Sequence, residues 1–139
     1  MRRTEILAQF DRHGVQPTPQ RIEIAGILLG KPQHLSAEQI IDRLHVQGSG
    51  VSKATVYNTL KLFGERGLVR ECLVDPERLF YDSTTTPHYH FYNMDTGELT
   101  DIPHDAVQVI GLPELPKDFH LDSIEVVIKG RATPPKDMA

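Results

Sequence analysis

A chain of 139 residues with 39% hydrophobic content can form one ordinary domain, or two small ones that depend on each other or on a second copy. Its single cysteine, Cys72, excludes an internal disulfide and a thiolate-rich metal cage within one chain, so nitrogen and oxygen must hold any metal. The net charge of −4 is uneven, because residues 1–82 carry 11 basic and 10 acidic side chains whereas residues 83–139 carry 4 and 9. The N-terminal part is therefore the better candidate for a phosphate-bearing partner.

The N-terminal sequence MRRTEILAQFDRHG carries charges throughout and has no apolar run of the kind found in a signal peptide. No later stretch approaches the apolar length that a membrane span needs. We therefore expect a soluble cytoplasmic protein with no membrane partner.

Short helices are predicted through the first half of the chain. Thr18 followed by Pro19, the capping-box sequence Ser36-Ala-Glu-Gln39, and Ser52 each predict the start of a helix. An apolar stripe before Thr18 predicts one more helix, which ends at Gly14. The helix that starts at Thr18 is predicted to end at Gly30. The predicted inward faces are Ile6, Leu7 and Phe10; Ile22, Ala25 and Leu29; Ile40, Ile41 and Leu44; and Val56, Leu60 and Phe63.

After Gly67 the spacing of hydrophobic residues changes from that of helices to that of β-strands. LVRECLV at 68–74 and RLFYD at 78–82 flank the turn Asp75-Pro-Glu and predict a β-hairpin, with Cys72 as a buried or half-buried thiol. Three short helices followed by a hairpin is the order of a winged helix, whose third helix enters the DNA major groove. Residues 1–82 are therefore predicted to form a winged-helix DNA-binding domain, although a helical bundle with a hairpin and no DNA role fits the pattern too.

The second half predicts a smaller domain. The polar run at 83–87 predicts a hinge, and strands are expected over 88–93, 98–102 and 121–130, with a short helix at 104–110. The tail at 132–139 is expected to be disordered. A sheet of so few strands is only marginally stable alone, and pairing with a second copy would stabilise it. Residues 88–139 are therefore predicted to form a small C-terminal α/β dimerisation domain. The fold class is therefore α+β.

Histidines and carboxylates in this second half suggest a metal site. His88 and His90 are two apart on a predicted strand, so both side chains emerge on one face and can bind one ion. Asp82 and Asp101 place oxygen donors near the ends of the strands. Taken alone, each of these residues could also have no metal to bind, as a histidine on a strand, a turn residue or a solvated charge.

Four motifs are similar to those of a known family. TPQR at 18–21, HLSAEQI at 34–40, SKATVYNTL at 52–60 and HYHFY at 88–92 resemble the ferric uptake regulator (Fur) family of metal-dependent repressors, over residues 5 to 131. The resemblance implies a sensory metal that links the two domains of a homodimer and fixes the spacing of its recognition helices. The ligands it implies are His34, Asp82, His88, His90 and Asp101.

The resemblance also implies binding to double-stranded DNA at a palindromic operator. Tyr57 is expected to read a base edge, through contact with a thymine methyl group, and Arg21 to lie near a phosphate. Thr55, Asn58 and Lys61 are expected beside Tyr57. Gln16 stands where the family often has a basic residue for the minor groove.

Imidazole and carboxylate donors suit Fe(II) or Mn(II), and Zn(II) also fits. Many family members hold a structural zinc with two Cys-x-x-Cys pairs, but Asn93 and Thr96 occupy the positions of the first pair here. We therefore expect no structural zinc held by four cysteines. A second metal site of some members is also expected to be absent, because Pro87 and Tyr89 stand at its positions.

Two branches of the family share particular features with this chain. Two aspartate ligands and Asn58 in the recognition helix resemble the peroxide sensor PerR, in which oxidation of a ligating histidine, here His34 or His88, would end repression. ELTDIP at 98–103 and LPELP at 112–116 resemble the iron response regulator Irr. Haem ligation by His88 and His90 is the less favoured alternative, since Leu73 after Cys72 excludes a Cys-Pro haem motif.

Two other classes of protein remain open on the residues alone. Two histidines and a carboxylate also form the facial triad of non-haem iron enzymes. A winged helix that binds only proteins is the third reading. Five candidate ligands favour a regulator, and we expect no enzymatic activity.

Overall fold

The computed structural model describes residues 1–132, so most of the predicted disordered tail lies outside the described residues. The chain divides into two compact units, Met1–Thr85 and a second that begins at Thr86. The division falls within the segment 83–87, whose role as a hinge remains a prediction. Among the described residues, no helix combines the length and apolar character that crossing a membrane requires.

The first unit contains four helices and a three-stranded antiparallel sheet. Its strands are in the order β1-β3-β2, and the hairpin predicted after Gly67 is present as β2 and β3. The short strand β1 was not predicted, because three residues are too few to show an alternating pattern. The elements are α1 (Arg3–His13), α2 (Pro19–Leu28), β1 (His34–Ser36), α3 (Ala37–Val46), α4 (Lys53–Glu65), β2 (Arg70–Asp75) and β3 (Arg78–Asp82).

The helices begin where their capping residues predict. The hydroxyl of Thr18 accepts a hydrogen bond from the Arg21 amide, and that of Ser52 accepts one from the Thr55 amide. Ser36 and Gln39 form the complete capping box of α3. At its other end α1 stops at Gly14, whose φ of 66° is in the left-handed region that favours glycine.

The core of the first unit follows the predicted faces closely in α4, where Val56, Leu60 and Phe63 are fully buried. In α2 the buried face is shifted, since Ile24 and Leu28 are fully buried whereas two residues predicted to be inside, Ile22 and Leu29, are half-buried. The helix is covered by α1, α3 and α4, so its buried surface is wider than a single stripe. Cys72 is buried on β2, as predicted.

The second unit is a three-stranded sheet in the order β5-β4-β6. Its elements are β4 (His88–Asn93), β5 (Leu99–Pro103), a 3-10 turn (His104–Ala106) and β6 (Val127–Gly130). β4 pairs antiparallel with β5 and parallel with β6. The 94–97 turn joins β4 to β5, and Gly97 adopts a φ of 77° there.

Two predictions for this unit were wrong. The helix expected at 104–110 ends after Ala106, because the β-branched residues that follow favour extended backbone and Gly111 adopts a left-handed φ. The strand expected at 121–130 is formed only at 127–130. Val127 pairs with His90, so residues before 125 would lie beyond the start of β4, where Pro87 cannot donate to a ladder.

Few apolar side chains are buried in the second unit. Tyr89, Tyr92 and Leu99 are its buried hydrophobic residues among those described. The long irregular segment between the 3-10 turn and β6 leaves many large apolar side chains exposed. Ile128 on β6 is exposed as well, and we call the whole set the apolar surface of the second unit: Val109, Ile110, Leu112, Leu115, Phe119, Leu121 and Ile128.

Candidate metal centre and nucleic-acid interface

Two of the five predicted ligands lie next to each other in the first unit. His34 on β1 is directly opposite Asp82 on β3 in an antiparallel pair. Side chains of such a pair emerge on the same face of the sheet, with Cβ atoms about 4.5–5.5 Å apart. We call His34 and Asp82 the first ligand pair.

Asp82 of this pair is only 1% exposed. Its Oδ1 accepts a hydrogen bond of 2.9 Å from the Thr84 amide. Burial of a carboxylate is costly unless its charge is compensated by donors or a cation. Asp82 therefore has the chemistry of a metal ligand held in a fixed orientation by the backbone that follows it.

The other three predicted ligands gather in the second unit. His90 on β4 pairs with Asp101 on β5, and His88 is two residues before His90 on the same face. Nε2 of His88 lies 3.5 Å from Oδ1 of Asp101, and Nε2 of His90 lies 3.6 Å from the same oxygen. Their ring centroids are 4.6 Å apart in an edge arrangement. We call His88, His90 and Asp101 the second ligand group.

The orientation of the His88 ring is fixed by the backbone just before it. Its Nδ1 lies 2.7 Å from the carbonyl oxygen of Thr86. A carbonyl can only accept, so Nδ1 carries the proton and donates it, and in the neutral ring Nε2 carries the lone pair. This is the arrangement by which proteins prepare a histidine for a metal.

The spacing of the second ligand group fits a metal. Two donors about 2.1 Å from an ion lie roughly 3.4 Å apart at a tetrahedral angle. The measured 3.5 and 3.6 Å are close to that separation. The side chain of Asp101 is 52% exposed, which leaves its carboxylate accessible. Nitrogen and oxygen donors of this kind suit Fe(II), Mn(II) and Zn(II).

The positions that the resemblance aligns with a cysteine pair form a turn instead. Oδ1 of Asn93 accepts hydrogen bonds from the amides of Asp95 and Thr96, at 2.9 and 3.2 Å. The Gly97 amide donates to the Asn93 carbonyl at 2.8 Å. Asn93 therefore closes this turn by hydrogen bonding.

Four of the five residues predicted to contact DNA lie on α4. Tyr57 is 45% exposed, so part of its side chain is accessible at the surface of the helix. Asn58 and Lys61 are exposed, and Thr55 is half-buried. The hydroxyl of Ser52 donates to Oγ1 of Thr55 at 2.9 Å, which ties Thr55 to the start of the helix.

Arg21 lies close to two of these residues. Arg21, Thr55 and Asn58 line one groove of about 350 Å³, together with Thr18 and Gln20. Nη1 of Arg21 donates to the Gln16 carbonyl at 2.7 Å. That bond orients the guanidinium beside α4 and also secures the loop before α2. The structure therefore brings Arg21, Thr55 and Asn58 together and places Lys61 outside this groove.

One contact of this surface could not be found from the sequence. The Tyr57 hydroxyl donates to Oε1 of Glu38 at 2.6 Å, across 19 residues. This hydrogen bond, more than any other cause, raises the pKa of Tyr57 above its usual value. Glu38 has only the sequence signal of an acidic residue in the first turn of a helix.

Comparison with known proteins identifies the family. The Ferric uptake regulator family pattern matches residues 12–129, which is most of the chain. This chain belongs to the Ferric uptake regulator family. It is 30% identical over 128 residues to the "Ferric uptake regulation protein" of Synechococcus elongatus, covering 88% of this chain and 87% of that protein. It is 32% identical over 106 residues to the "Peroxide operon regulator" of Bacillus subtilis, covering 76% and 73%.

A solved structure agrees with this assignment. The Ferric uptake regulator from Pseudomonas aeruginosa with manganese aligns with a TM-score of 0.68 and 25% identity, covering 91% of this chain and 97% of that one. The predicted α+β class is confirmed, with an N-terminal winged-helix DNA-binding domain and a C-terminal dimerisation domain. Fur-family proteins are metal-responsive transcription regulators that bind DNA as dimers, which removes the enzyme alternative.

Proposed function

We propose that this chain is a metal-dependent DNA-binding repressor in which one ion takes ligands from both units. The ligands are the first ligand pair, His34 and Asp82, and the second ligand group, His88, His90 and Asp101. The observation that carries the proposal is the approach of two imidazole Nε2 atoms to the same Asp101 oxygen, at 3.5 and 3.6 Å. Two carboxylates in the set balance the charge of a divalent ion.

Metal binding would control DNA binding by setting the angle between the DNA-binding and dimerisation domains. A dimer binds a palindromic operator only when its two recognition helices are spaced to meet two half-sites on the DNA. An ion present at 100 times its dissociation constant favours the metal-bound arrangement by about 2.7 kcal/mol, or roughly a hundredfold. That bias is sufficient for a regulatory switch.

In the DNA complex, Tyr57 and Asn58 are proposed to contact base edges. Arg21 and Lys61 are proposed to contact phosphates. Tyr57 and Asn58 are exposed on the second turn of α4, where a recognition helix presents its side chains to the major groove. Thr55 lies on the same helix, half-buried beside Arg21 in their common groove. These roles are supported by position and exposure.

Fe(II) and Mn(II) are the proposed physiological metals, with Zn(II) as a third that fits the same donors. The Pseudomonas aeruginosa relative was solved with manganese, and other structural relatives contain iron or zinc. Bound iron supplies redox chemistry with peroxide that manganese and zinc do not. His34 and His88 are the ligands proposed to gain oxygen, after which the site loses its metal.

The peroxide response is supported by three features. Both acidic ligands are aspartate, and Asn58 stands where iron-responsive members usually have arginine. A relative named "Peroxide operon regulator" is 32% identical over 106 residues. These features favour a peroxide-responsive regulator.

The test is binding to the promoter DNA of the protein's own gene, measured by fluorescence anisotropy without oxygen. Protein loaded with Mn(II) or with Fe(II) is compared before and after peroxide, and peptide mass spectrometry follows His34 and His88. We expect tight binding with either metal, lost only from the iron form as one of the two histidines gains oxygen. If both forms still bind DNA after peroxide and carry no added oxygen, the peroxide response is wrong.

An iron- or haem-responsive regulator of the Irr type is the second candidate. It is favoured by the stretches ELTDIP at 98–103 and LPELP at 112–116, and a relative named "Ferric uptake regulation protein" is 30% identical over 128 residues. It predicts DNA binding that depends on iron or haem concentration and is unaffected by peroxide. The same anisotropy measurement with haem added separates the two candidates.

A further inference from the structure

A short hydrogen bond between two exposed side chains near the recognition surface joins α3 to α4. The hydroxyl of Tyr57 on α4 donates to the carboxylate of Glu38 on α3 at 2.6 Å. Both residues are exposed, and the exposed fraction of Tyr57 is 45%. The bond fixes one end of the ring in place while leaving the rest of the ring open to solvent.

A carboxylate at this place is unfavourable for contact with DNA in general. Phosphates repel it, and most of the sequence-independent affinity of a DNA-binding protein is electrostatic. A hydrogen bond between two exposed groups also contributes little to folding. An acidic residue near the start of α3 would stabilise that helix without contacting Tyr57. The contact therefore calls for an explanation other than stability.

Orientation of the ring provides that explanation. A tyrosine has two side-chain torsions, and an exposed ring samples several orientations that must be reduced to one when it meets a base. The hydrogen bond to Glu38 restricts the ring to one of these orientations in the free protein, before DNA binds. With the hydroxyl engaged, the ring carbons remain as the exposed surface, and an apolar surface is what a thymine methyl group needs.

We propose that Glu38 is a positioning residue for base recognition, which holds the Tyr57 ring in the orientation that contacts a thymine methyl group. The inference rests on the proposed function, because it assumes that α4 enters the major groove. Glu38 contacts no base itself. Its charge also disfavours nonspecific DNA, so the same side chain increases sequence preference in two ways.

The probe for the test is thymine replaced by uracil, which lacks only the methyl group. Mn(II)-loaded wild-type protein first selects its preferred site from a pool of random DNA duplexes, and each thymine of that site is then replaced singly. Loss of one buried methyl contact lowers affinity about fourfold. We expect wild-type protein to show such a loss at one thymine of each half-site.

Four single variants and one double variant then separate positioning from stability. Glu38→Ala and Tyr57→Phe should each reduce the uracil effect to less than about twofold, and the double variant should be no worse than either alone. Glu38→Gln keeps an oxygen that accepts the hydroxyl proton, so it should retain the effect. Asp42→Ala removes another carboxylate from α3 and should also retain it. Glu38→Ala and Glu38→Gln both remove the charge, so both should bind nonspecific DNA more tightly than the wild type.

The outcomes distinguish the inference from the function on which it rests. If the wild-type protein selects no site, the proposed function is wrong and the inference fails with it. If it selects a site but Glu38→Ala and Tyr57→Phe keep the full uracil effect, only the inference is overturned. It is also overturned if Glu38→Gln loses as much as Glu38→Ala while both melt at a lower temperature, because that result indicates a structural role.

Discussion

The two units of the chain differ in how completely each buries its own apolar side chains. The core cluster of the first unit runs from Ile6 to Tyr81 and includes side chains from all four helices and from the sheet. Among its described residues, the second unit buries three apolar side chains and exposes the seven of its apolar surface. The first unit has a hydrophobic core large enough for an independent domain. The second unit instead exposes apolar side chains of the kind that a protein interface buries.

The candidate ligands are divided between these unlike units. The first ligand pair is on strands next to a well-packed core, and the second ligand group is on a small sheet with little core of its own. An ion bound by both would join a stable element to one that also serves dimerisation. We therefore expect substitutions in the two units to act at different steps, those in α4 on the contact with DNA and those in the second unit on metal binding or dimerisation.

The largest expected effect is on the second ligand group. His90→Ala removes one of the two imidazoles near Asp101, so Mn(II) should no longer promote DNA binding. At metal concentrations that saturate the wild type, DNA affinity should fall roughly a hundredfold, which is the whole metal-dependent gain. Fluorescence anisotropy with and without Mn(II) measures this loss.

His120→Ala is the matched control, because His120 is an exposed histidine of the same unit outside the ligand group. It should leave the response to metal unchanged. An equal loss in both variants would mean that histidine content, rather than this group, controls binding.

The next largest effect should come from the apolar surface of the second unit. Phe119→Glu places a charge on a side chain that is 68% exposed in one copy and that a second copy would cover. Loss of one buried aromatic contact, about 1.5–3 kcal/mol, should weaken dimerisation by roughly tenfold to a hundredfold. Sedimentation velocity over a range of protein concentrations detects the change.

Val46→Glu makes the same kind of change on the more fully exposed Val46 of the first unit. This control should remain dimeric. Monomers from Val46→Glu, or dimers of unchanged stability from Phe119→Glu, would contradict the assignment of the interface to the second unit.

A third prediction separates two roles within the first unit. Asn58→Ala should weaken binding to the selected operator about tenfold and leave nonspecific binding unchanged, as expected for a base contact. Arg21→Ala should weaken both kinds of binding similarly and reduce the salt dependence by about one counterion. Titrations at several salt concentrations distinguish the two patterns. If Arg21→Ala changes only the preference for sequence, its phosphate role is wrong.

The smallest effect should be confined to folding. Ser36→Ala removes the N-cap of α3, where the serine hydroxyl accepts from the Gln39 amide, and should lower the free energy of unfolding by about 1 kcal/mol. Ser123→Ala, in the irregular segment of the second unit, should change it little. Urea denaturation compares the two variants. Equal losses would show that the cap has no special role.

Prediction from sequence succeeded where the signal is local. The caps at Thr18, Ser36 and Ser52 involve residues three apart, and the inward face of α4 repeats within one helix. β4 was predicted at its observed limits because proline and a polar turn bound it on either side. Such signals need no knowledge of how elements pack.

What the sequence could not predict depends on contacts between elements. β1 exists because β3 pairs with it, and β6 is short because β4 begins at His88. The hydrogen bond between Glu38 and Tyr57 depends on how α3 and α4 cross. For the metal ligands, spacing suggested His88 and His90, and positions near the strand ends suggested Asp82 and Asp101. Only His34 came from the family resemblance, and the arrangement within each unit is what the structure adds.

Mn(II) binding to the intact protein, followed by electron paramagnetic resonance, is the most direct test of a site shared by the two units. We expect one ion per chain, and we expect His34→Ala and His90→Ala each to weaken binding more than about tenfold, since even changes around a metal's ligands cost roughly that much. If His34→Ala binds Mn(II) as tightly as wild type while His90→Ala does not, the second unit alone holds the ion and the proposed shared site is wrong.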